Sequence, residues 1–195
     1  MYHLGLDRKG ARFDAGSGRE QRHSVGARLW GTTESWDYNY ELVLQWGRFG
    51  PGNIRAWTIA SDNGFRIESV KLRPRLGLKA DVASGDHDPS DQMLGTSNAL
   101  FPNGAYFSEA DLLGPYNLMD LHPSVELNLT QNLKLTTDAD FFWRQSIHDG
   151  IYGAPGNLME SGGGTAARYI GFHTRAQLAW SIMSLTCELS GSINK

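Results

Sequence analysis

The chain is short of cysteine, of long apolar runs, of helical periodicity and of charge of one sign, and each shortage closes a class. One thiol, Cys187, supports neither a disulfide framework nor a cysteine-based zinc site, which need several thiols at set spacings. It reads as a lone small apolar residue. No run of about 18 apolar residues occurs and mean hydropathy is −0.40, so no transmembrane helix is on offer. Lys and Arg number 18 against 21 Asp and Glu, whereas a nucleic-acid binder carries a basic excess or stripe. A membrane β-barrel passes all these exclusions, because alternating strands average to modest hydropathy. Residues 1–7 show no charged segment followed by an apolar one, as a signal peptide would. They read as the middle of a strand, so the start is expected to be cut rather than natural.

What is present is strict alternation, bounded each time by Gly, Pro, Asn or Asp clusters. Tyr38, Tyr40, Leu42, Leu44 and Trp46 share one face, with Asn39, Glu41, Val43, Gln45 and Gly47 on the other. The same apolar and polar split runs through residues 72–83, 120–129, 133–144 and 169–180, and more weakly through 2–8, 20–31, 54–66 and 184–193. Roughly eight or nine strands follow, many near the length of about 10 residues that a tilted membrane strand needs. Connections differ in length as well: 31–36 and 130–132 are tight, 85–116 and 147–167 long. Short turns at one end and long loops at the other mark outer-membrane barrels. Trp30, Trp36, Tyr38, Trp46, Phe49, Trp143 and Trp180 fall toward strand ends, where an interfacial girdle would place them; ordinary sandwich-core aromatics are the alternative. The fold predicted is an all-β, antiparallel transmembrane barrel forming a single domain over residues 1–195.

Smaller motifs carry less. Asp120, His122 and Ser124 share a face like a hydrolytic triad, but side chains two apart on a strand stand about 7 Å apart, too far for triad hydrogen bonds. The acidic stretch from Asp86 to Asp91 offers oxygen ligands without the full calcium-loop pattern, and reads as a solvated loop or one folded into a pore mouth. Gly162, Gly163 and Gly164 match no phosphate cradle and read as a loop tip. No catalytic residue, metal or cofactor is expected.

Several longer words stand out. They are Arg73-Pro-Arg-Leu-Gly-Leu-Lys-Ala-Asp-Val-Ala-Ser-Gly-Asp86, Leu100-Phe-Pro-Asn-Gly-Ala-Tyr-Phe107 and Asn117-Leu-Met-Asp-Leu-His-Pro-Ser124. Asp138-Ala-Asp-Phe-Phe-Trp-Arg144 and Asp149-Gly-Ile-Tyr-Gly-Ala-Pro-Gly-Asn157 follow. Together they resemble the alginate-export family of outer-membrane proteins over roughly residues 1–180. The resemblance implies a barrel of about 18 strands with an arginine-rich, anion-selective pore passing a polyuronate. This chain would then be its C-terminal half. Membrane barrels must close, and residues 181–195 lack the terminal aromatic usual in bacterial barrels.

If the apolar face meets lipid, alternation puts Arg22, Arg28, Arg55, Arg73, Arg75, Lys79, Lys134, Arg144 and Arg175 on a water-filled lumen. Glu41, Asp81, Asp120, Glu126, Asp138 and Asp140 share that face. Cationic rings select anions by offsetting their desolvation, and the guanidinium fork pairs with a uronate carboxylate. Most of these charges are expected to neutralise one another across strands. Arg73, Arg75 and Lys79, three cations on one face, are the candidates for a pore role. The function expected is an outer-membrane channel of a Gram-negative cell for alginate-like polysaccharide or small organic anions. Its partners would be outer-membrane lipid, the anionic saccharide and periplasmic export machinery, with the barrel monomeric. The alternatives are a soluble β-sandwich that binds carbohydrate, which would bury its apolar face on a second sheet, and a barrel hydrolase.

Overall fold

The computed structural model describes residues 1–100, 112–182 and 185–194, with side chains as far as Ser181. All of the Leu100–Phe107 word but Leu100, and the thiol of Cys187, therefore lie outside the described residues. The long strands are β1 (Tyr2–Phe13), β2 (Gly16–Thr32), β3 (Trp36–Phe49), β4 (Gly52–Arg66), β5 (Arg75–Ala83), β7 (Leu118–Asn128), β8 (Leu133–Arg144), β11 (Tyr169–Ile182) and β12 (Leu185–Asn194). Short strands β6 (Met93–Leu94), β9 (Ile151–Tyr152) and β10 (Leu158–Glu160) and a 3₁₀ turn at Gly162–Gly164 lie in the long loops. The nine long strands pair in chain order, each antiparallel to the next, in one sheet whose described edges are β1 and β12.

Antiparallel order fixes which end each connection occupies. The turns at 14–15 and 50–51 and the long loops 84–117 and 145–168 share one end of the sheet. The connections at 33–35, 67–74 and 129–132 share the other. One strand start differs from the alternation. Residues 72–83 read as continuous, yet β5 begins at Arg75, because Leu72 and Arg73 take positive φ angles of 73° and 41° in the turn from β4.

The two faces differ as alternation requires. Leu42, Leu44, Trp46, Ile59, Leu76, Leu78, Leu121 and Val125 are exposed on one, and among the described residues no second sheet covers them. The other face is polar and largely buried. Among the described residues the apolar core lies where the long loops fold onto that face at their own end of the sheet: Ala11, Phe13, Ile54 and Ala56 of the strands pack with Leu94, Tyr116 and Tyr152 of the loops, and Ala83, Leu118 and Phe142 form a second, smaller cluster. Phe49 belongs to this cluster, edge-on to Phe13, and not to an exposed ring of aromatics. Trp36, Trp46 and Trp180 are half exposed on the apolar face, whereas Trp30 stands on the polar face beneath the Arg28 guanidinium.

Strand β4 outruns β5, whose last partner is Thr58. Beyond that point β6 takes the vacant side of β4, with Asn53 opposite Met93 and Ile54 opposite Leu94. The loop is thereby stitched to the wall before it turns across the polar face.

Candidate polar wall and its loop strap

Strand register sets the polar face as rows of facing polar and charged side chains, most of them of opposite sign. Arg28 lies opposite Glu41, Asp62 opposite Lys79, Lys79 opposite His122, and Arg75 opposite Glu126. Asp81 opposes Asp120, Asp138 opposes Arg175, and Asp140 opposes His173. Side chains directly opposite stand about 5 Å apart at Cβ, close enough to pair. The Arg75 guanidinium clasps both oxygens of Asp37 and stands 3.9 Å from Asp62. Arg175 Nε donates to Asp138 Oδ2 at 2.8 Å, and Lys134 Nζ to Glu126 Oε2 at 3.0 Å. Arg28 Nε donates to Asn39 Oδ1 at 2.7 Å, and the Tyr2 hydroxyl to Glu41 Oε1 at 2.8 Å.

Eleven of the residues expected on the lumen face therefore stand on the polar face: Arg28, Glu41, Arg75, Lys79, Asp81, Asp120, Glu126, Lys134, Asp138, Asp140 and Arg175. Arg55 does not join them. It lies opposite Trp46, one position from Ile54 and Ala56 of the buried side, and so points to the apolar face. Arg73 sits in the β4–β5 turn, 3.5 Å from Glu68, outside any strand. Arg22 and Arg144 are on the polar face but fully buried, where they hold loops rather than line open space.

The triad geometry does not form. His122 stands between two aspartates of β8, its Nε2 3.1 Å from Asp138 Oδ1 and its Nδ1 3.2 Å from Asp140 Oδ2. Asp120 faces Asp81 and Phe142 instead, and Ser124 faces Gly77 and Asp138. In the acidic stretch, Asp88 accepts from Ser90 and Asp91 from the Met93 amide, bonds that shape turns. Among the described residues no group of three His, Cys, Asp or Glu is placed to hold a metal ion.

Residues 84–100 form a strap over the polar face. Arg22 donates from Nε to Glu20 Oε1 at 2.7 Å and from one terminal nitrogen to Gln45 Oε1 at 2.7 Å and the Thr96 carbonyl at 3.1 Å. Gln45 and Asn98 exchange bonds, Gln45 Nε2 donating to the Asn98 carbonyl and the Asn98 amide to Gln45 Oε1. Asn98 Nδ2 reaches Glu20, and the Tyr116 hydroxyl donates to Asn98 Oδ1. The second long loop closes over the first through Asp149, whose carboxylate accepts from the Asp86 amide, Thr96 Oγ1, the Tyr152 hydroxyl and the Gly150 amide. Burial pushes the Asp149 and Asp86 carboxyls above the ordinary range, and it raises the Tyr152 and Tyr116 hydroxyls as well. Arg144 ties the far side, donating to the carbonyls of Ala167, Thr165, Ile147 and Asp149.

Beneath the strap a cavity of about 480 Å³ is lined by Tyr2, Arg28, Glu41, Gln45, Asp81 and Asp120, with Asn98 and Pro115 as its roof. That volume suits a small ligand or one or two sugar units. Glu20, Asn98, Thr96 and Tyr152 escaped the alternation argument, and Gln45 entered it only as a polar-face residue, because their roles need a loop and a strand to meet. The sequence trace was that Asp86, Asn117, Arg144 and Asp149 stand at the ends of the words that carry the family resemblance.

A comparison with curated proteins gave no match. The family model described as alginate export, in contrast, matches residues 1–190, nearly the whole chain, and the chain belongs to the alginate-export family.

Proposed function

We propose that the chain forms part of the wall of an outer-membrane channel for an acidic polysaccharide of the polyuronate type, or for small organic anions. Membership of an alginate-export family makes a polysaccharide-export channel the coarse function. The observation carrying the finer reading is the division of one antiparallel sheet into an exposed apolar face and a charged face holding fixed guanidinium and ammonium groups. Lipid takes the first and a water-filled lumen the second. Arg75 and Arg175 are held by aspartates at defined positions, so a passing carboxylate meets donors whose positions are already set. On this reading the long loops face outward, the short turns face the periplasm, and the strap narrows the lumen at the outer end.

A soluble sandwich would cover Leu42, Leu44 and Trp46 with a second sheet, and among the described residues none lies over them; a hydrolase would need Ser124 within reach of a histidine, and His122 faces Asp138 and Asp140 instead. Single-channel recording of the full-length gene product in planar bilayers, under a salt gradient and with added oligouronates, tests the proposal. Anion-selective current blocked by oligouronates is the expected result. A folded, water-soluble protein without conductance would overturn it.

A further inference from the structure

Every charged side chain on the apolar face of the described strands lies in one corner, on the extensions of β1 to β4 toward the long-loop end. Successive rows there run from Val25, Leu44 and Trp57 to His23, Trp46 and Arg55, then to Gln21, Arg48 and Asn53, and on to Arg19 and Arg12. His3 and His23 stack with ring centroids 5.5 Å apart, and His23 stacks on Trp46 at 5.9 Å. The change from apolar to basic is abrupt and falls at a tryptophan.

Its height agrees with a membrane boundary. From Trp36 to Trp46 β3 advances about ten residues, ~33 Å along the strand at ~3.3 Å each. A tilt of about 40° reduces this to about 25 Å, the height of a barrel's apolar band. The basic rows therefore begin where lipid headgroups begin. Arg12, Arg48 and Arg55 are exposed, and none forms an ion pair among the described residues. Arg19 is paired with Asp7, the one acid of these rows. A strand extension that merely met water would need charge of either sign. This one presents cations to the side.

We propose that this corner is a binding site for phosphate-bearing lipid headgroups of the surrounding outer leaflet, with Arg48 and Arg55 as its principal ligands and Trp46 seated at the acyl boundary. The inference rests on the membrane-channel reading above. Guanidinium forks pair bidentately with phosphate oxygens, and the aromatic row between arginine and leucine suits the polar to apolar step of a lipid.

The test uses the full-length protein purified in neutral detergent and equilibrated with mixed micelles of phosphatidylcholine and phosphatidic acid, the lipid retained per protein being counted by native mass spectrometry. Phosphatidic acid should be enriched over phosphatidylcholine, less so at high salt. R48Q/R55Q should lower that enrichment roughly ten- to thirtyfold, since each cation near a charged lipid surface is worth about 1 kcal/mol. K71Q, in a turn at the opposite end, should leave it unchanged. Equal retention of phosphatidic acid by wild type and R48Q/R55Q would overturn the site. So would competition by inorganic phosphate as effective as that of the lipid, which would mark a free-anion site. Bilayer conductance of R48Q/R55Q is read in parallel. Conductance kept with enrichment lost supports the lipid site, whereas a protein that never inserts condemns the channel reading instead.

Discussion

Asn117 shows how much one side chain carries in a structure with little apolar core. It is fully buried at φ 48°, a backbone region that asparagine tolerates better than most residues. Its Nδ2 donates to the carbonyls of Ser146 and Gly150 at 2.9 Å each, and its Oδ1 accepts from the Ser146 amide at 2.6 Å, so one residue joins both long loops. Gly85 lies against it, and a Cβ there would meet Asn117 Oδ1 at 1.9 Å. Asn117→Ala should cost about 3–5 kcal/mol, from three lost bonds at about 1 kcal/mol each and the conformational penalty. Urea unfolding of the purified protein checks it, and a loss under 1 kcal/mol would contradict this account. Arg22 and Glu20 make a different case, an ion pair with no exposure on either side chain. Glu20 keeps Arg8 at 2.7 Å when Arg22 is removed, but it loses its buried partner, and Gln45 Oε1 and the Thr96 carbonyl lose a donor. Arg22→Met should therefore cost about 3–5 kcal/mol, while the double variant E20Q/R22M should recover part of it. The double-mutant cycle decides the point: additive losses would mean that the two side chains act independently.

At the scale of elements, alternation holds on a strand because successive side chains must point to opposite faces, and it fails where the chain leaves the strand. Arg75 and Lys79 lie on the polar face of β5, while Arg73, counted in the same run, falls in a turn with positive φ. Arg55 was misplaced because its weakly alternating stretch, 54–66, lacks a continuous apolar row to fix the parity. Gly47 is the local exception within β3: its φ of +150° brings its Cα so near the Gln21 carbonyl that a Cβ would lie 1.9 Å away. The strap has a titration of its own. Asp86 and Asp149 have raised values when docked, by burial first, against about 4 in an unfolded chain. Their contribution therefore favours docking most at acid pH and is lost as pH rises from about 4 through the raised values. Asp88, exposed and held low chiefly by the Ser90 hydroxyl, acts in the opposite direction where water screens it. Hydrogen exchange at the amides of Asp86, Ser97, Asn98 and Gly150, corrected for intrinsic rates, should show protection falling between mildly acid and neutral pH. Protection that rises over that interval would reject the assignment.

For the whole molecule, two faces and two ends define the polarity of the sheet: apolar against charged, and long loops against short turns. If the charged face is a lumen, its cations decide what passes. R75Q/K79Q in the full-length protein should shift the reversal potential in a salt gradient toward cation selectivity, and an unchanged potential would remove these residues from the conduction path. The sequence by itself determined the strands, the two faces and the inequality of the loops, because period-two alternation and turn residues act locally and survive without knowledge of neighbours. It also carried the family, through words that lie between Arg73 and Asn157. Only the tertiary structure decided that Arg22 and Arg144 are buried anchors, that the loops fold over the polar face, and that Arg55 joins Arg48 on the outside. Those outcomes depend on strand register and on contacts between segments more than 50 residues apart, as between Arg22 and Thr96 or Asp86 and Asp149. No local pattern encodes where a loop finds its hydrogen-bond partners. The buried donors and acceptors it must satisfy lie on distant strands that come together only when the sheet is assembled.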